Sequence, residues 1–485
     1  MYNRQVKEQV PLYVDLDGTL VKTDIAREQL VKTLAQPGLW RGVWTAFRSG
    51  RAGLKSFLAT HQDIDATNLP YTPQVLDYIT GEREKGRRVV LATAADMRVA
   101  QIVADHLGLF DGIIASDAGH NLKGDAKLAA IKEDAQGAFE YLGDTATDYP
   151  IWDEAAKVGI VNASRKVQTK ATQNAEVSLL VEDRPSAARG ILKAMRPHQW
   201  AKNVLVLLPL FFSHSYMNPG ALSGALLAMA VFSMCASAIY IINDLLDIEA
   251  DRKHTRKRNR PFAAGTLAPD KGLMASAGLL VMAFAISLSQ FSLTVTALFA
   301  LYILTTTLYS TWFKHKAAID IVVLTCLYVL RIFVGGVVIG VIVSPSLLNF
   351  SLFFFASLAL MKRFTELQKL ETNKSKEKVR GYYLLDNQTI LPMGITAGGL
   401  SVLTLTQYFS TEYVAKTYGA PELLWLTAPL VLFWIFRAWL LAMRSHIDDD
   451  PVVFALRDKI SRTAILMAVG LVVAAKFLSI EGLLI

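Results

Sequence analysis

Two groups of carboxylates stand at spacings that suit phosphate chemistry with a metal ion. Asp15 and Asp17 follow an apolar run in YVDLDGTLV, and Asp244, Asp247 and Asp251 follow another in NDLLDIEAD. Carboxylate oxygens are good ligands for Mg²⁺, and a carboxylate can also attack phosphorus or transfer a proton. Both groups are therefore candidates for sites that bind phosphorylated substrates.

The first group suits chemistry through an aspartyl phosphate. Asp15 can attack a phosphorus atom, while Asp17 can protonate the leaving oxygen and later activate water. A phosphoryl dianion that faces a carboxylate nucleophile needs a cation, which implies Mg²⁺. Later segments add the remaining groups. Asp144 and Asp148 would hold Mg²⁺ together with Asp15 and Asp17, and Thr93 offers a phosphate-binding hydroxyl. Lys123 or Lys127, with Lys123 preferred, is the candidate cation that neutralises the phosphoryl group.

Short apolar runs alternate with helix-like segments over residues 10–165, which predicts a parallel α/β sheet. Residues 24–80 have helical patterns and predict an insertion between the first two strands. The motifs of the first site each follow a predicted strand, and such an ordered set rarely arises by chance. The predicted strands are PLYVDL, RRVVLAT, DGIIAS, FEYLGD and KVGIVNAS.

These motifs resemble the haloacid dehalogenase superfamily of phosphatases over roughly residues 10–165. The resemblance implies a Rossmann-like core in which Asp15 is the nucleophile and Asp17 is the acid and base. It also implies that the insertion at 24–80 is a helical cap of the type found between the first two motifs.

The charge of the chain is unevenly divided. Residues 1–190 hold 23 Lys and Arg against 25 Asp and Glu, whereas residues 191–485 hold 27 against 17. The basic excess accompanies long apolar runs, so it suits juxtamembrane loops and anionic substrates rather than nucleic acid. The two cysteines, both in apolar runs, offer neither a disulfide framework nor metal-ligand spacing, and the first 20 residues lack a signal-peptide pattern. We expect a phosphatase-like domain at 1–165, a linker at 166–190 and a membrane domain at 191–485.

Nine apolar runs predict an all-α transmembrane bundle of about nine helices. The first run is short and suits a broken or tilted helix. Basic loops at 252–260, 314–316, 362–380 and 444–462 alternate with loops that contain only Lys416 as a cation. The positive-inside rule therefore predicts that the N-terminal domain and the basic loops are cytoplasmic. The predicted spans are 203–218, 221–243, 272–290, 292–310, 318–342, 346–361, 391–409, 423–443 and 461–481.

The second group of acids begins directly after the apolar run AIYII. At about 100° per residue, a helix places Asn243, Asp244, Asp247 and Asp251 on one face and turns Glu249 away. Carboxylates at a membrane edge often mark a functional site, and several on one face repel one another unless divalent cations bridge them. Mg²⁺ with a diphosphate satisfies this requirement, and a solvated helix end is the plainer alternative.

The NDxxDxxxD motif and the spans resemble the UbiA family of intramembrane prenyltransferases over roughly residues 190–485. In that family the motif binds Mg²⁺-diphosphate at the cytoplasmic mouth of a helical bundle. The usual second motif, DxxxD, is replaced here by LMKRFTELQKLETNKSKEKVRGYYLLDN, which disfavours an ordinary prenyl diphosphate donor. MRPHQWAKNVLVLLPLFF, NDLLDIEADRKHTRKRNRPFAAG, KRFTEL and DDDPVVFALRDK together resemble decaprenyl-phosphate phosphoribosyltransferase and its relatives, which implies phosphoribosyl diphosphate as donor and a polyprenyl phosphate as acceptor.

A donor with a diphosphate and a 5-phosphate, together with a lipid phosphate, calls for further cations. Some candidates have a structural alternative: Arg196 and Lys202 can anchor the first span, the run 252–260 can be a positive-inside signal, and residues 362–366 can lie on a solvated loop. Arg331 lies inside a span, where an arginine usually has a functional or paired role. The candidate substrate-binding residues are Arg196, Lys202, Asn203, Arg258, Arg260, Arg331, Lys362, Arg363 and Glu366.

The leading hypothesis is a bifunctional enzyme of the bacterial inner membrane that acts in cell-wall biosynthesis. One domain transfers 5-phosphoribose from phosphoribosyl diphosphate to a polyprenyl phosphate with Mg²⁺, and the phosphatase domain dephosphorylates the phosphoribosyl lipid. One alternative is a prenyltransferase that joins a prenyl diphosphate to an aromatic acceptor, beside an unrelated phosphatase. Another is a transporter or lipid-binding protein with a regulatory head. The sequence is compatible with a homo-oligomer.

Overall fold

The described part of the chain forms two compact units. One unit contains the residues up to 195 together with residues 240–277, and the other contains residues 196–239 and the chain from 278 onward. The charged segment 240–277, which contains the second group of acids, thus belongs to the same unit as the N-terminal region. The computed structural model describes residues 10–173, 175–373, 378–447 and 450–478, and of residues 371–379 it describes the backbone only where secondary structure is given.

A six-stranded parallel sheet organises the first unit, which confirms the α/β prediction. Its strands are β1 (Leu12–Val14), β2 (Val89–Asp96), β3 (Gly112–Ser116), β4 (Glu140–Gly143), β5 (Lys157–Val161) and β6 (Glu176–Val181). They lie in the order β3-β2-β1-β4-β5-β6, so the direction of winding reverses between β1 and β4. Ligands of such sheets bind beyond the carboxyl ends of the strands at this reversal.

Residues 166–190, predicted as a linker, instead complete the sheet unit. Strand β6 pairs with β5 along the edge of the sheet, where Val181 lies opposite Val161. The sequence EVSLLV is rich in β-branched and apolar residues, and Val181 is buried. Polar residues on its amino-terminal side obscure this strand when the segment is judged by composition.

Helices pack on both faces of the sheet. Leu12 and Val14 belong to one apolar core and Tyr13, between them, to another, as the alternation of side chains along a strand requires. The predicted insertion at 24–80 is helical. The helices of this region are α1 (Ile25–Leu34), α2 (Trp40–Arg48), α3 (Gly50–His61), α4 (Pro73–Glu84), α5 (Met97–Leu107), α6 (Asp125–Ala135), α7 (Tyr149–Trp152), α8 (Arg165–Ala171) and α9 (Ala187–Met195).

Eight helices in the described residues are long and apolar enough to cross a membrane, so the chain is a multi-pass membrane protein. They correspond to eight of the predicted spans. The first predicted span, 203–218, is a broken segment with a 3₁₀ helix at Pro197–Leu207, which agrees with its short length. The remaining helices are α10 (Leu208–Phe212), α11 (Pro219–Leu246), α12 (Ile248–Arg252), α13 (Pro269–Gln290), α14 (Leu293–Thr311), α15 (Ile319–Ile339), α16 (Pro345–Asn373), α17 (Asn387–Phe409), α18 (Glu412–Thr417), α19 (Thr427–Met443), α20 (Pro451–Arg457) and α21 (Lys459–Phe477).

The region that sequence predicted as a cationic loop is helical in its first part. Helix α16 continues to Asn373, so Lys362, Arg363 and Glu366 lie on a helix and not on a solvated loop. Apolar residues at helical spacing within LMKRFTELQKLE explain this continuation. A short antiparallel pair follows, formed by β7 (Lys378–Val379) and β8 (Tyr382–Tyr383).

Candidate active sites

The ends of two adjacent strands build the first site. The Asp15 amide donates a hydrogen bond to the carbonyl of Leu142, the residue of β4 that pairs with the last residue of β1. Gly18, in the turn after β1, has φ +85°, and a Cβ atom there would lie 2.0 Å from a carboxylate oxygen of Asp144. A glycine at this position therefore lets the turn with Asp15 and Asp17 pass directly against Asp144.

Lys127, on α6, is the buried cation of this site. Its Nζ atom lies 3.0 Å from Asp15 Oδ1 and 3.7 Å from Asp148 Oδ1. It also donates to the Tyr141 hydroxyl at 2.8 Å, and that hydroxyl donates to Asp148 Oδ1 at 3.0 Å. Lys123, the lysine that the sequence interpretation preferred, is exposed. Of the two candidates, Lys127 therefore has the geometry to neutralise a phosphoryl group on Asp15.

Three carboxylates converge where a divalent cation would be held. Asp15, Asp144 and Asp148 each offer an oxygen, and these oxygens all lie within 4.8 Å of one another. Burial raises the pKa of Asp15, an effect that the charge of Lys127 only partly offsets, and burial with the charge of Asp15 raises the pKa of Asp144 well above its usual range. Hard oxygen ligands with an excess of negative charge fit Mg²⁺.

Asp17 is placed at the start of the insertion. Its Oδ1 atom accepts a hydrogen bond of 2.9 Å from the amide of Ile25, the first residue of α1. Burial, together with the nearby charge of Asp24, raises the pKa of Asp17 to about 8. A carboxyl group that keeps its proton near neutral pH can act as a general acid.

Two further side chains complete the surroundings of this site. Thr93, within β2, is buried, and its Oγ1 atom accepts a hydrogen bond of 3.0 Å from the Ala95 amide. Lys55, on α3 of the insertion, was not identified from the sequence, because a single lysine on a helix carries no motif. Burial lowers the pKa of Lys55, while the charges of Asp17, Asp24 and Asp15 act in the opposite direction. Lys55 thus adds a second cation beside the carboxylates.

The second site is built from the end of α11 and the short helix α12. Asp247 lies between the two helices. The Asp247 amide donates a hydrogen bond of 2.9 Å to the Asn243 carbonyl, and the Asp251 amide donates one of 2.8 Å to the Asp247 carbonyl. The spacing of a helix is therefore kept across the junction. Asp244 and Asp251 are buried, whereas Asn243 and Asp247 are half-buried.

Arg260 bridges two of these acids. Its Nη1 atom lies 3.1 Å from Asp244 Oδ1 and 2.6 Å from Asp251 Oδ2. The motif alone predicts that a divalent cation neutralises these acids, but part of the neutralisation comes from the Arg260 guanidinium. Carboxylates partly balanced by one arginine still carry the oxygen ligands that Mg²⁺ needs. Arg258 is exposed.

In the second unit, Asp450 brings two predicted cations together. Lys202 donates a hydrogen bond to Asp450 Oδ2, and the Lys362 Nζ atom lies 3.8 Å from the same oxygen. Although burial favours the protonated carboxyl, the charges of Lys202 and Lys362 lower the pKa of Asp450 to about 2. Asp450 was not among the predicted site residues, although it lies in the DDDPVVFALRDK segment that carried the resemblance.

Arg363 is held by acids within the same unit. It is buried, pairs with Asp320 and Glu366, and donates a hydrogen bond of 2.8 Å to the Tyr309 hydroxyl. An arginine with these partners is fixed by structure, which favours a role in orienting Glu366 and the end of α16.

A third polar group contains two predicted residues, Asn203 and Arg331. Arg331 Nε donates to Asn203 Oδ1 at 3.0 Å, and its Nη2 donates to the Tyr302 hydroxyl at 3.1 Å. The Asn203 amide in turn donates to Ser233 Oγ. Arg331 is therefore an arginine with polar partners inside the span. Arg196 directly precedes the 3₁₀ helix that carries Asn203.

Comparison with known protein families gives matches to two separate parts of the chain. Residues 12–152 match the haloacid dehalogenase-like hydrolases, and residues 205–460 match the UbiA prenyltransferase family. The chain is 36% identical over 461 residues to the uncharacterized protein y4nM of Sinorhizobium fredii, covering 93% of this chain and 88% of that protein.

Two further relatives match only part of this chain. The nodulation protein NoeC of Azorhizobium caulinodans is 32% identical over 285 residues, with 58% of this chain and 91% of that protein covered. The decaprenyl-phosphate phosphoribosyltransferase of Mycolicibacterium smegmatis is 31% identical over 302 residues, with 60% of this chain and 93% of that protein covered.

Proposed function

Because the chain belongs to the UbiA prenyltransferase family and carries a haloacid dehalogenase-like domain, we propose that it joins 5-phosphoribose to a polyprenyl phosphate and then dephosphorylates the product. The observation that carries this proposal is the convergence of buried acids and cations at both candidate sites. A relative at 31% identity bears the name decaprenyl-phosphate phosphoribosyltransferase, and this supports the choice of donor and acceptor.

In the first reaction, a phosphate oxygen of the lipid attacks the anomeric carbon of the donor, and the bond from that carbon to the diphosphate breaks. Asn243, Asp244, Asp247 and Asp251 would hold Mg²⁺, which when bound neutralises the leaving diphosphate. Arg260, which bridges two of the acids, would add a positive charge beside the diphosphate.

Lys202 and Lys362 supply further positive charge for an anionic substrate. Both lie close to the same carboxylate oxygen of Asp450, and a substrate phosphate can share or replace that contact. Their convergence supports a role in substrate binding over a role as isolated interface anchors.

In the second reaction, Asp15 attacks the phosphorus of the 5-phosphate while Asp17 protonates the departing ribose oxygen. Water activated by Asp17 then breaks the aspartyl phosphate and releases inorganic phosphate. Lys127, in contact with Asp15, neutralises the phosphoryl group through both steps. Asp144 and Asp148, with Asp15, would hold the Mg²⁺ that this chemistry needs.

We place the enzyme in the bacterial inner membrane, with the phosphatase-like domain in the cytoplasm. The basic loops alternate with loops poor in cations, as the positive-inside rule requires for this orientation. With eight long helices, the orientation requires the broken segment 197–217 to cross the membrane as well.

Mass spectrometry of the lipid product tests the proposal. Purified full-length protein is supplied with Mg²⁺, polyprenyl phosphate and phosphoribosyl diphosphate, and wild type should form a ribosyl lipid without the 5-phosphate. Asp15→Asn should accumulate the 5-phosphorylated lipid. A product only when prenyl diphosphate and an aromatic acceptor are supplied would instead establish the prenyltransferase alternative, and substrate flux without turnover would establish the transporter.

A further inference from the structure

Among the described residues, four ion pairs join the helical insertion at 24–80 to the charged segment 240–277. The insertion contributes two acids and two bases, and the segment contributes their opposites, so the two surfaces are complementary in charge at every pair. The pairs are Glu28 with Arg252, Lys32 with Glu249, Asp65 with Lys253, and Arg27 with Asp270.

The pair between Glu28 and Arg252 is the buried member of this set. Arg252 Nη1 and Nη2 donate to the two carboxylate oxygens of Glu28 at 2.9 and 2.7 Å. Its Nε donates to the Ala263 carbonyl at 3.0 Å, and the Thr23 hydroxyl donates to Glu28 Oε1 at 2.7 Å. A planar, two-point pair of this kind fixes the direction of both side chains.

This pair joins the helices of the two candidate sites. Arg252 directly follows Asp251 on α12, and Glu28 lies one turn into α1. The amide of Ile25, which opens α1, donates to Asp17. Helix α1, whose first amide bonds Asp17, is thus paired through Glu28 with helix α12, which carries Asp251.

Charged and apolar side chains both contribute to this contact, where Ile25 and Ile248 are buried beside the ion pairs. A cavity of about 70 Å³ lies between α1 and α12, and Lys32, Glu249 and Arg252 line it together with Leu245 and Ile248. The walls of this cavity are partly charged and partly apolar. Loss of the Glu28 charge should change the position of α12, because it leaves the buried Arg252 guanidinium without its two-point partner.

We propose that Glu28 is a positioning residue for the second site: by holding Arg252, the insertion of the phosphatase-like domain orients α12 so that Asp251 can share a Mg²⁺-bound diphosphate. The proposal rests on the proposed transferase function. It gives the insertion a task beyond covering the phosphatase site, because the transferase then needs the phosphatase-like domain even when the phosphatase chemistry is disabled.

Glu28→Gln in the full-length protein tests the proposal. We expect the KM for phosphoribosyl diphosphate, measured with Mg²⁺, to rise about ten-fold or more while kcat changes less than about three-fold, since the chemistry is intact but the site is misoriented. Hydrolysis of p-nitrophenyl phosphate should stay at the wild-type rate. Glu84→Gln, an exposed glutamate at the end of α4, is the matched control and should leave both activities unchanged.

A charge reversal distinguishes positioning from general damage. Glu28→Arg should raise the KM further, and Glu28→Arg combined with Arg252→Glu should recover at least part of the loss. An unchanged KM in Glu28→Gln would overturn the proposal, and so would an equal loss of phosphatase activity.

Amide hydrogen exchange over residues 247–260 tests the positioning without relying on transfer. We expect faster exchange there in Glu28→Gln than in Glu84→Gln, with the exchange of the sheet strands unchanged. If wild type transfers nothing from phosphoribosyl diphosphate, the proposed function fails, but faster exchange in this segment still supports positioning. Equal exchange in the two variants would overturn it.

Discussion

The two carboxylate sites differ in what holds them in place. At the first, Asp15 and Asp144 follow adjacent, hydrogen-bonded strands, and Lys127 reaches them from α6. At the second, Asp244 ends a long helix, Asp251 lies on a helix of five residues, and Arg260 comes from the loop beyond. The sheet fixes one site through its backbone, whereas side-chain contacts fix the other.

This difference predicts where each site is vulnerable. Strand pairing is cooperative across six strands. A substitution elsewhere in the phosphatase-like domain should therefore displace the acids of its site little. Helix α12 is too short to be stable by itself and depends on its partners. Substitutions of contacting residues should therefore affect the second site more than the first.

The largest expected effect separates the two sites completely. Asp15→Asn removes the proposed nucleophile and should lower phosphatase activity at least about a thousand-fold, since the covalent step cannot proceed. Asp251→Asn removes a proposed metal ligand and should lower transfer about a hundred-fold or more. Each rate is measured in both variants, with p-nitrophenyl phosphate for hydrolysis and labelled phosphoribosyl diphosphate for transfer.

Each variant serves as the control for the other. Asp15→Asn should keep wild-type transfer, and Asp251→Asn should keep wild-type hydrolysis. A parallel loss of both activities in either variant would show that the sites are not independent chemical centres.

The choice between the two lysines gives the next largest effect. Lys127→Met should lower hydrolysis of p-nitrophenyl phosphate about a hundred-fold, because the cation nearest the nucleophile is lost. Lys123→Met should change it less than about three-fold, because that side chain is exposed. A thermal melt of each variant accompanies the rates, since an unfolded Lys127→Met would mimic lost catalysis. A larger loss in Lys123→Met would contradict the geometry.

The sheet and most of the first site could be predicted from sequence because strand and motif coincide there. Asp15 and Asp144 each follow a strand, Thr93 lies in the second half of β2, and parallel strands bring their carboxyl ends to one edge. The identity of the lysine could not be predicted, because Lys123 and Lys127 differ by one helical turn and only the start of α6 at Asp125 decides which one faces inward. Lys55 depends on how the insertion folds back, for which no local pattern exists.

Less of the membrane region could be predicted in detail. Hydropathy located eight long helices, since length and apolarity suffice for that. The pairing of Arg363 with Asp320, or of Lys202 with Asp450, joins residues far apart in sequence, and spacing along one chain carries no signal for it. The prediction of a linker at 166–190 missed strand β6 for a related reason. This edge strand contains only a short apolar run, and its pairing with β5 has no signal in the local sequence.

A smaller effect should separate the two arginines of the basic run. In the proposed site Arg260 would compete with a cation for Asp244 and Asp251, so Arg260→Gln should lower the Mg²⁺ concentration for half-maximal transfer about ten-fold. The KM for phosphoribosyl diphosphate should rise at the same time, because the proposed contact to a substrate phosphate would be lost. Transfer assays over a Mg²⁺ series measure both. Arg258→Gln, at an exposed position, should match wild type, and a raised Mg²⁺ requirement in Arg260→Gln would contradict competition.

The smallest effect concerns the insertion as part of the first site. The charges of Asp15 and Asp17 act on the Lys55 ammonium, but its hydrogen bond is to the Ala94 carbonyl. Lys55 should therefore bind substrate phosphate rather than take part in the chemical step. We expect Lys55→Gln to raise the KM for p-nitrophenyl phosphate about five-fold with little change in kcat, the pattern of lost uniform binding. Arg51→Gln, exposed on the same helix, is the control and should change neither constant. A fall in kcat of the same size would instead place Lys55 in the transition state, and the insertion would then contribute directly to catalysis at the sheet-bound site as well as to positioning at the other.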